Sequence, residues 1–178
     1  MSNFDPLLER NRAFAARNGH VGIAPPPNHQ VMVVTCMDHR VDPAHVLGIE
    51  LGDAMVLRNA GGRVNDEVID EIAFIATLTE TVFGENAPPF EVAVVHHTQC
   101  GTGYLADPTF RATYASRIGG DEETLATQAV VDPQATVRHD IERILSSSAV
   151  PTRVSVSGHI YDLDTGLITT VEPTHSQS

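Results

Sequence analysis

Two short runs, Val31-Met32-Val33-Val34-Thr35 and Val92-Ala93-Val94-Val95, are apolar almost without interruption. A strand with one wet face alternates apolar and polar residues. A strand without alternation is covered on both faces, as in parallel sheets. Parallel neighbours need long crossover connections, usually helical, so these runs call for helices between them. Each run also leads straight into a dense group of chemically capable residues. The first opens onto Cys36-Met37-Asp38-His39-Arg40, and the second onto His96-His97-Thr98-Gln99-Cys100. Ligands of such sheets collect at the carboxyl ends of the strands, so the distance between the two groups along the chain is no obstacle to their meeting.

The remaining pattern supplies the crossovers. Leu7 to Asn18 reads as a helix that Gly19 ends, and Ala24-Pro25-Pro26-Pro27-Asn28 as an extended connector, so residues 1–30 form a helical arm with a Pro-rich link. Asp42-Pro43 pairs an N-cap with proline at the first helical position and opens a short helix through Leu47. Ala54 to Arg58 is a strand. Asn65-Asp66-Glu67 starts a long helix with Val68, Ile72, Ile75, Thr79 and Val82 on one stripe and Gly84 as its stop. Glu91 to Val95 is the next strand. Short helices and loops are expected from Cys100 to Gly120. Asp132-Pro133 caps a helix that buries Val137, Ile141, Ile144 and Leu145. Arg153 to Tyr161 and Leu167 to Val171 form a hairpin across Asp162–Gly166. The expected fold is a single α/β domain over residues 1–178, a mostly parallel β-sheet core flanked by helices with a C-terminal strand hairpin.

Composition narrows the function. With 19% charged and 42% hydrophobic residues the chain can fill a core rather than remain disordered. A net charge of −12 opposes binding to nucleic acid or to an anionic membrane surface, but does not repel a small neutral substrate. Met1-Ser2-Asn3-Phe4-Asp5 lacks a basic stretch before an apolar run, so no secretory signal is expected. No segment approaches the roughly 20 apolar residues of a membrane span. Cytoplasm is the default compartment. There, two cysteines are metal ligands or reduced core residues more readily than a disulfide.

Two thiols, an imidazole and a carboxylate at two strand ends suit a metal in kind and number, and Zn2+ first, because it accepts thiolate and imidazole together. His97 and Cys100, three apart, can aim at one point as the chain turns off a strand. His96 competes with His97, but neighbours on a strand face opposite ways, so one is a ligand and the other a hydrogen-bonded packing residue. Cys36, Asp38 and Arg40 share a side of an extended segment. Asp38 could close the metal's fourth position. Held in a bidentate fork by Arg40, it would instead accept a hydrogen bond from a metal-bound water and leave the site open. Cys36 has no close second thiol or imidazole on its side, which favours catalysis over a structural zinc.

These motifs resemble those of the β-class carbonic anhydrases: Cys36-x-Asp38-x-Arg40, Arg58-Asn59-Ala60-Gly61-Gly62, and His97-x-x-Cys100-Gly101, echoed by the late Gly158–Asp162 and Thr165–Leu167 hairpin. The resemblance runs from about Val31 to Gly103. It implies that Cys36, His97 and Cys100 hold zinc, that Asp38 and Arg40 form the catalytic dyad, and that Gly61 and Gly62 lie beside the substrate pocket. It further implies reversible hydration of CO2 to bicarbonate and a proton by zinc-bound hydroxide, and a homodimer or dimer of dimers. Leu7, Leu8 and Phe14 are the candidate partner contacts. His39 stands where many members have Ser or Ala, and residues 104–131 match no family pattern. His39, His45 and His96 are candidate proton shuttles. The alternatives are hydrolysis of carbonyl sulfide or carbon disulfide on the same site, a non-catalytic zinc or bicarbonate-binding protein with Asp38 as fourth ligand, and a redox dithiol.

Overall fold

The two apolar runs become the central strands. In the computed structural model, which describes residues 2–176, β1 (Val31–Cys36), β2 (Met55–Asn59), β3 (Glu91–His97), β4 (Ser155–Tyr161) and β5 (Ile168–Ser176) form one sheet in the order β2-β1-β3-β4-β5. The pairs β1/β2, β1/β3 and β3/β4 are parallel, and only β4/β5 is antiparallel. This is the mostly parallel α/β sheet with a C-terminal hairpin that the periodicity predicts.

Lack of alternation in β1 and β3 has the expected cause. Met32, Val34, Val92 and Val94 are buried on one face and Val33, Thr35 and Val95 on the other. The first face packs against Val68, Ile72 and Ala76 of α3 (Asp66–Phe83), and Val137, Ile141 and Ile144 of α6 (Pro133–Ser146). Each such Val or Ile side chain contributes about 1.5–3 kcal/mol on burial. Helix α6 lies so close to β4 that a Cβ on Gly158 would overlap Val137 and Ile141. That proximity places α6 directly behind the ends of β3 and β4.

The local signals resolve into the remaining elements, with some displacement. Helix α1 spans Asp5–Ala15 and not Leu7–Asn18; Pro6 serves its first turn, and none of its residues is buried. Helix α2 (Pro43–Val46) is capped by Asp42, whose carboxylate accepts from Ala44 N. In α3, capped by Asn65, the predicted stripe holds at Val68 and Ile72 but fails at Val82, which is 62% exposed because the helix outruns the sheet. The stretch expected to hold short helices and loops contains an eleven-residue helix, α4 (Pro108–Ile118), followed by α5 (Glu122–Thr127). Its start repeats the device at α2 and α6: Asp107 caps and Pro108 begins the helix. Strand bounds shift by one or two residues at β2, β3 and β4, and β5 runs on to Ser176 instead of ending at Val171. Among the described residues no helix is long and apolar enough to cross a membrane.

Candidate metal centre

Cys36 is the last residue of β1 and His97 the last of β3. After His97 the chain turns through Gln99, whose φ of 57° is left-handed, and returns Cys100 to the same point. One ligand atom from each of Cys36, His97 and Cys100 lies within 4.8 Å of the other two, and all three residues are buried. Among the described residues this is the one cluster of its kind. The two thiols are free, with sulfurs 3.9 Å apart, far beyond a disulfide bond.

The donor set fits a metal ion on an observation of its own. His97 Nδ1 donates to Thr98 O at 2.8 Å. That bond leaves the lone pair on Nε2, which is buried without a hydrogen-bond partner. A buried acceptor with nothing to accept is rare and costly. Beside two thiols it is the arrangement a tetrahedral N/S metal satisfies, with the backbone carbonyl fixing the imidazole's tautomer. Charge on the sulfurs is already poised. A hydrogen bond from Cys36 lowers Cys100 to about 6. The same bond, helped by burial, pushes Cys36 up to about 12. The contact thus favours the thiolate at Cys100 and the thiol at Cys36, and a metal binding both would displace the remaining proton. Val41 and Val130 pack with the thiols in one small apolar cluster.

Asp38 stands outside the three-residue cluster. Arg40 grips it with Nε on Oδ1 at 3.0 Å and Nη2 on Oδ2 at 2.6 Å, and Arg40 N adds a bond at 2.9 Å. The Arg40 side chain's hydrogen bonds hold the Asp38 carboxyl well below the usual carboxylate range, so it is ionised. Arg40 Nη2 also reaches Gln99 O at 3.2 Å, which fastens the pair to the loop carrying Cys100.

The two glycines expected beside the substrate pocket lie against the thiols. Gly61 and Gly62 are buried with φ of 86° and 68°, and a Cβ on Gly62 would sit 2.8 Å from the Cys36 nitrogen. The structure brings them to the thiols. The open space is a surface cleft of about 930 Å3 beside Cys100, lined among others by Gly103, Tyr104 and Phe110. His39 and His45 are exposed. His96 is fully buried with both ring nitrogens engaged, the packing residue of the pair.

Three contributors had no role assigned from the sequence, although Arg58 stands in the 58–62 motif. Arg58 donates to Cys36 O (3.0 Å), Asp38 O (2.7 Å) and Asp42 (2.6 Å), and so stitches down the loop after β1. A lone Arg ending an apolar strand was its signal. Thr102 Oγ1 lies 3.1 Å from the Cys100 sulfur. Asp140 pairs with Arg63 inside the protein. Its signal was an acid between Val137 and Ile144 on the buried stripe of α6.

Fold and site together define an α/β protein that carries a Cys–His–Cys cluster able to hold a metal ion at the carboxyl ends of parallel strands. The carbonic anhydrase family pattern matches residues 31–168. The chain is 32% identical to β-carbonic anhydrase 1 of Mycobacterium tuberculosis over 174 residues, covering 97% of this chain and 100% of that protein. It is 31% identical to a carbon disulfide hydrolase of Acidianus sp. over 184 residues, covering 90% and 85% respectively. The crystal structure of carbonic anhydrase from Streptococcus mutans superimposes with a TM-score of 0.80 at 34% identity, over 97% of this chain and 99% of that one. The chain belongs to the β-carbonic anhydrase family. The family match runs through residues 104–131, which the sequence motifs alone did not connect to it.

Proposed function

We propose that the protein is a zinc-dependent carbonic anhydrase that interconverts CO2 with bicarbonate and a proton. The observation that carries this is the orphaned His97 Nε2 beside two buried thiols, with Asp38 held out of the cluster by Arg40. Cys36, His97 and Cys100 would hold the zinc. Bound there, zinc supplies the Lewis acidity that makes water a nucleophile near neutral pH. Asp38, ionised and clamped, is an acceptor fixed in one pose. It orients the attacking water, while Arg40 keeps the carboxylate from closing the fourth position. Gly61 and Gly62 admit the backbone close to Cys36, shaping the inner wall of the site.

Hydrolysis of carbon disulfide or carbonyl sulfide is the second reading. A relative bearing the first activity and the aromatic cleft wall at Tyr104 and Phe110 favour it. Stopped-flow CO2 hydration by zinc-loaded protein at mildly alkaline pH tests the proposal. Fast turnover is expected. Negligible turnover with zinc bound would transfer the assignment to the sulfur substrates, or to a sealed binding site if those also failed.

The proposal includes a homodimer or dimer of dimers, in the cytoplasm, where thiols stay reduced. Its support is α1, which buries no residue and exposes Phe4, Leu7 and Leu8, a helix with no reason to fold alone. Phe14 is half-buried against His20. Light scattering on Leu7→Ser/Leu8→Ser protein should show a loss of the oligomer.

A further inference from the structure

A polar network with a buried centre, Asp140, Arg63 and His96, lies behind the candidate metal centre, and none of its members is a candidate ligand. Asp140 of α6 has no exposed surface, and Arg63 is 4% exposed. Asp140 Oδ2 accepts from Arg63 Nε at 2.8 Å and from Val64 N at 3.1 Å, and Oδ1 from Arg63 Nη2 at 2.9 Å. His96 Nε2 lies 3.2 Å from Asp140 Oδ2 and 3.1 Å from Gly62 O. Both neighbours are acceptors, so Nε2 carries the proton and Nδ1 faces Thr136 Oγ1 at 2.8 Å. Arg63 Nη1 reaches on to Thr127 O at 2.6 Å, at the end of α5. Burial works against the Asp140 charge, but the hydrogen bonds from His96 and Arg63 win and keep its carboxyl below the usual range.

Everything in this network converges on the turn Asn59–Val64, and so do all three candidate ligands. Gly62 packs on the Thr35–Cys36 peptide so closely that no Cβ fits. Gly61 packs on Thr102, whose hydroxyl touches the Cys100 sulfur. The Gly62 carbonyl is held by His96, the residue before His97. The turn is therefore a common footing for Cys36, Cys100 and His97. Its own fastening to the protein is Asp140, through Arg63, through Val64 N and through His96.

We infer that Asp140 is a positioning residue of the metal centre: by anchoring the 59–64 turn and the His96 ring to α6, it sets the relative placement of the three ligands. It acts without touching the metal or the substrate. A buried ion pair is weak evidence for stability as such, and one that instead selects a single geometry is a better account of three buried polar groups behind one site. This rests on the zinc reading above.

The test uses the full-length protein loaded with zinc or cobalt(II). Asp140→Asn keeps the side-chain shape and removes the charge. Zinc release to a colorimetric chelator should accelerate at least about 10-fold, and the visible d–d bands of the cobalt protein should shift or broaden. Ile72→Val, a core change remote from the turn, should lower thermal stability with wild-type release and an unchanged cobalt spectrum. Should Asp140→Asn not fold, Thr136→Val decides, since it removes the partner of His96 Nδ1 and otherwise only the hydroxyl's contacts with Asp132 O and Pro133 O in the first turn of α6; a smaller change of both readouts in the same direction is expected. Wild-type release and spectrum in the folded Asp140 variant, or in Thr136→Val if that is the only folded one, would overturn the inference while leaving the zinc reading intact. A wild-type protein that binds neither metal would sink both.

Discussion

Among the described residues, two of the Asp–Arg pairs share nearly the same fork geometry but differ in their surroundings. In the Asp38–Arg40 pair the arginine side chain is 41% and the aspartate 14% exposed, and the two residues are neighbours along one loop. In the Asp140–Arg63 pair the side chains are 0% and 5% exposed and join α6 to the turn after β2. An exposed pair adds little to stability, because water and salt compete for it. What it can do is hold a carboxylate in one orientation at the rim of a site. A buried pair cannot meet substrate at all, but removing one partner strands a charge in a medium that cannot solvate it. On the proposed reading, the same chemistry serves reactivity in one place and geometry in the other, and depth decides which.

The contrast is broken most severely by Arg63→Ala. It leaves Asp140 buried and uncompensated, so unfolding free energy should fall by about 3–5 kcal/mol in chemical denaturation. A loss no greater than that of a surface substitution would mean that the interior relaxes around Asp140 and that the pair is not structural. Arg40→Ala should do the reverse. Zinc content and melting temperature should stay near wild type, while turnover falls about 100-fold, because the carboxylate is no longer held for its task. Equal zinc and near-normal rates in that variant would remove Arg40 from the mechanism.

How visible each pair was in the sequence follows from the same difference. Asp38 and Arg40 lie two apart in an extended segment, so their common side could be read directly, as could Cys36 beside them. The strands were legible because β1 and β3 are buried on both faces, and α2 and α6 because Asp-Pro announces a helix start. The same announcement at Asp107-Pro108 was there to be read, but α4 buries only Ala115, so no apolar stripe drew attention to it. Asp140 and Arg63 were illegible as a pair, since 77 residues separate them and only the packing of α6 on the sheet makes them meet. Asp140 alone showed as an acid on an apolar stripe. The turn at 60–62 is another such case: its glycines were noted, but what they approach is a tertiary fact.

Acid separates the pairs less violently. Both carboxyls titrate below their usual range, Asp38 because Arg40 donates to it, Asp140 because His96 and Arg63 outweigh burial. A depressed native value means stability that is complete above the unfolded carboxyl's value of about 3.9 and is lost as pH falls through the native one. Melting temperature followed from pH 7 downward should therefore drop steeply below about pH 4 in the wild type. Asp140→Asn should flatten that acid limb clearly, Asp38→Asn only slightly, since solvent screens the exposed pair. Equal flattening would place the two carboxylates in equivalent environments and contradict the burial difference.

The gentlest discriminator is salt. At 1 M ionic strength the screening length is about 3 Å, so charges in contact with solvent barely sense one another. Whatever small melting difference Arg40→Ala shows at low salt, on the order of a degree, should vanish there. The deficit of Arg63→Ala should persist undiminished, because ions do not enter the space between α6 and the 59–64 turn. Turnover of Arg40→Ala should also stay low in high salt: a fork that orients a carboxylate works through directed hydrogen bonds, which screening does not replace. If salt abolished the kinetic difference between Arg40→Ala and wild type, Arg40 would be acting through its long-range field and not by holding Asp38 in place, and the division of labour between the two pairs would have to be redrawn on charge alone.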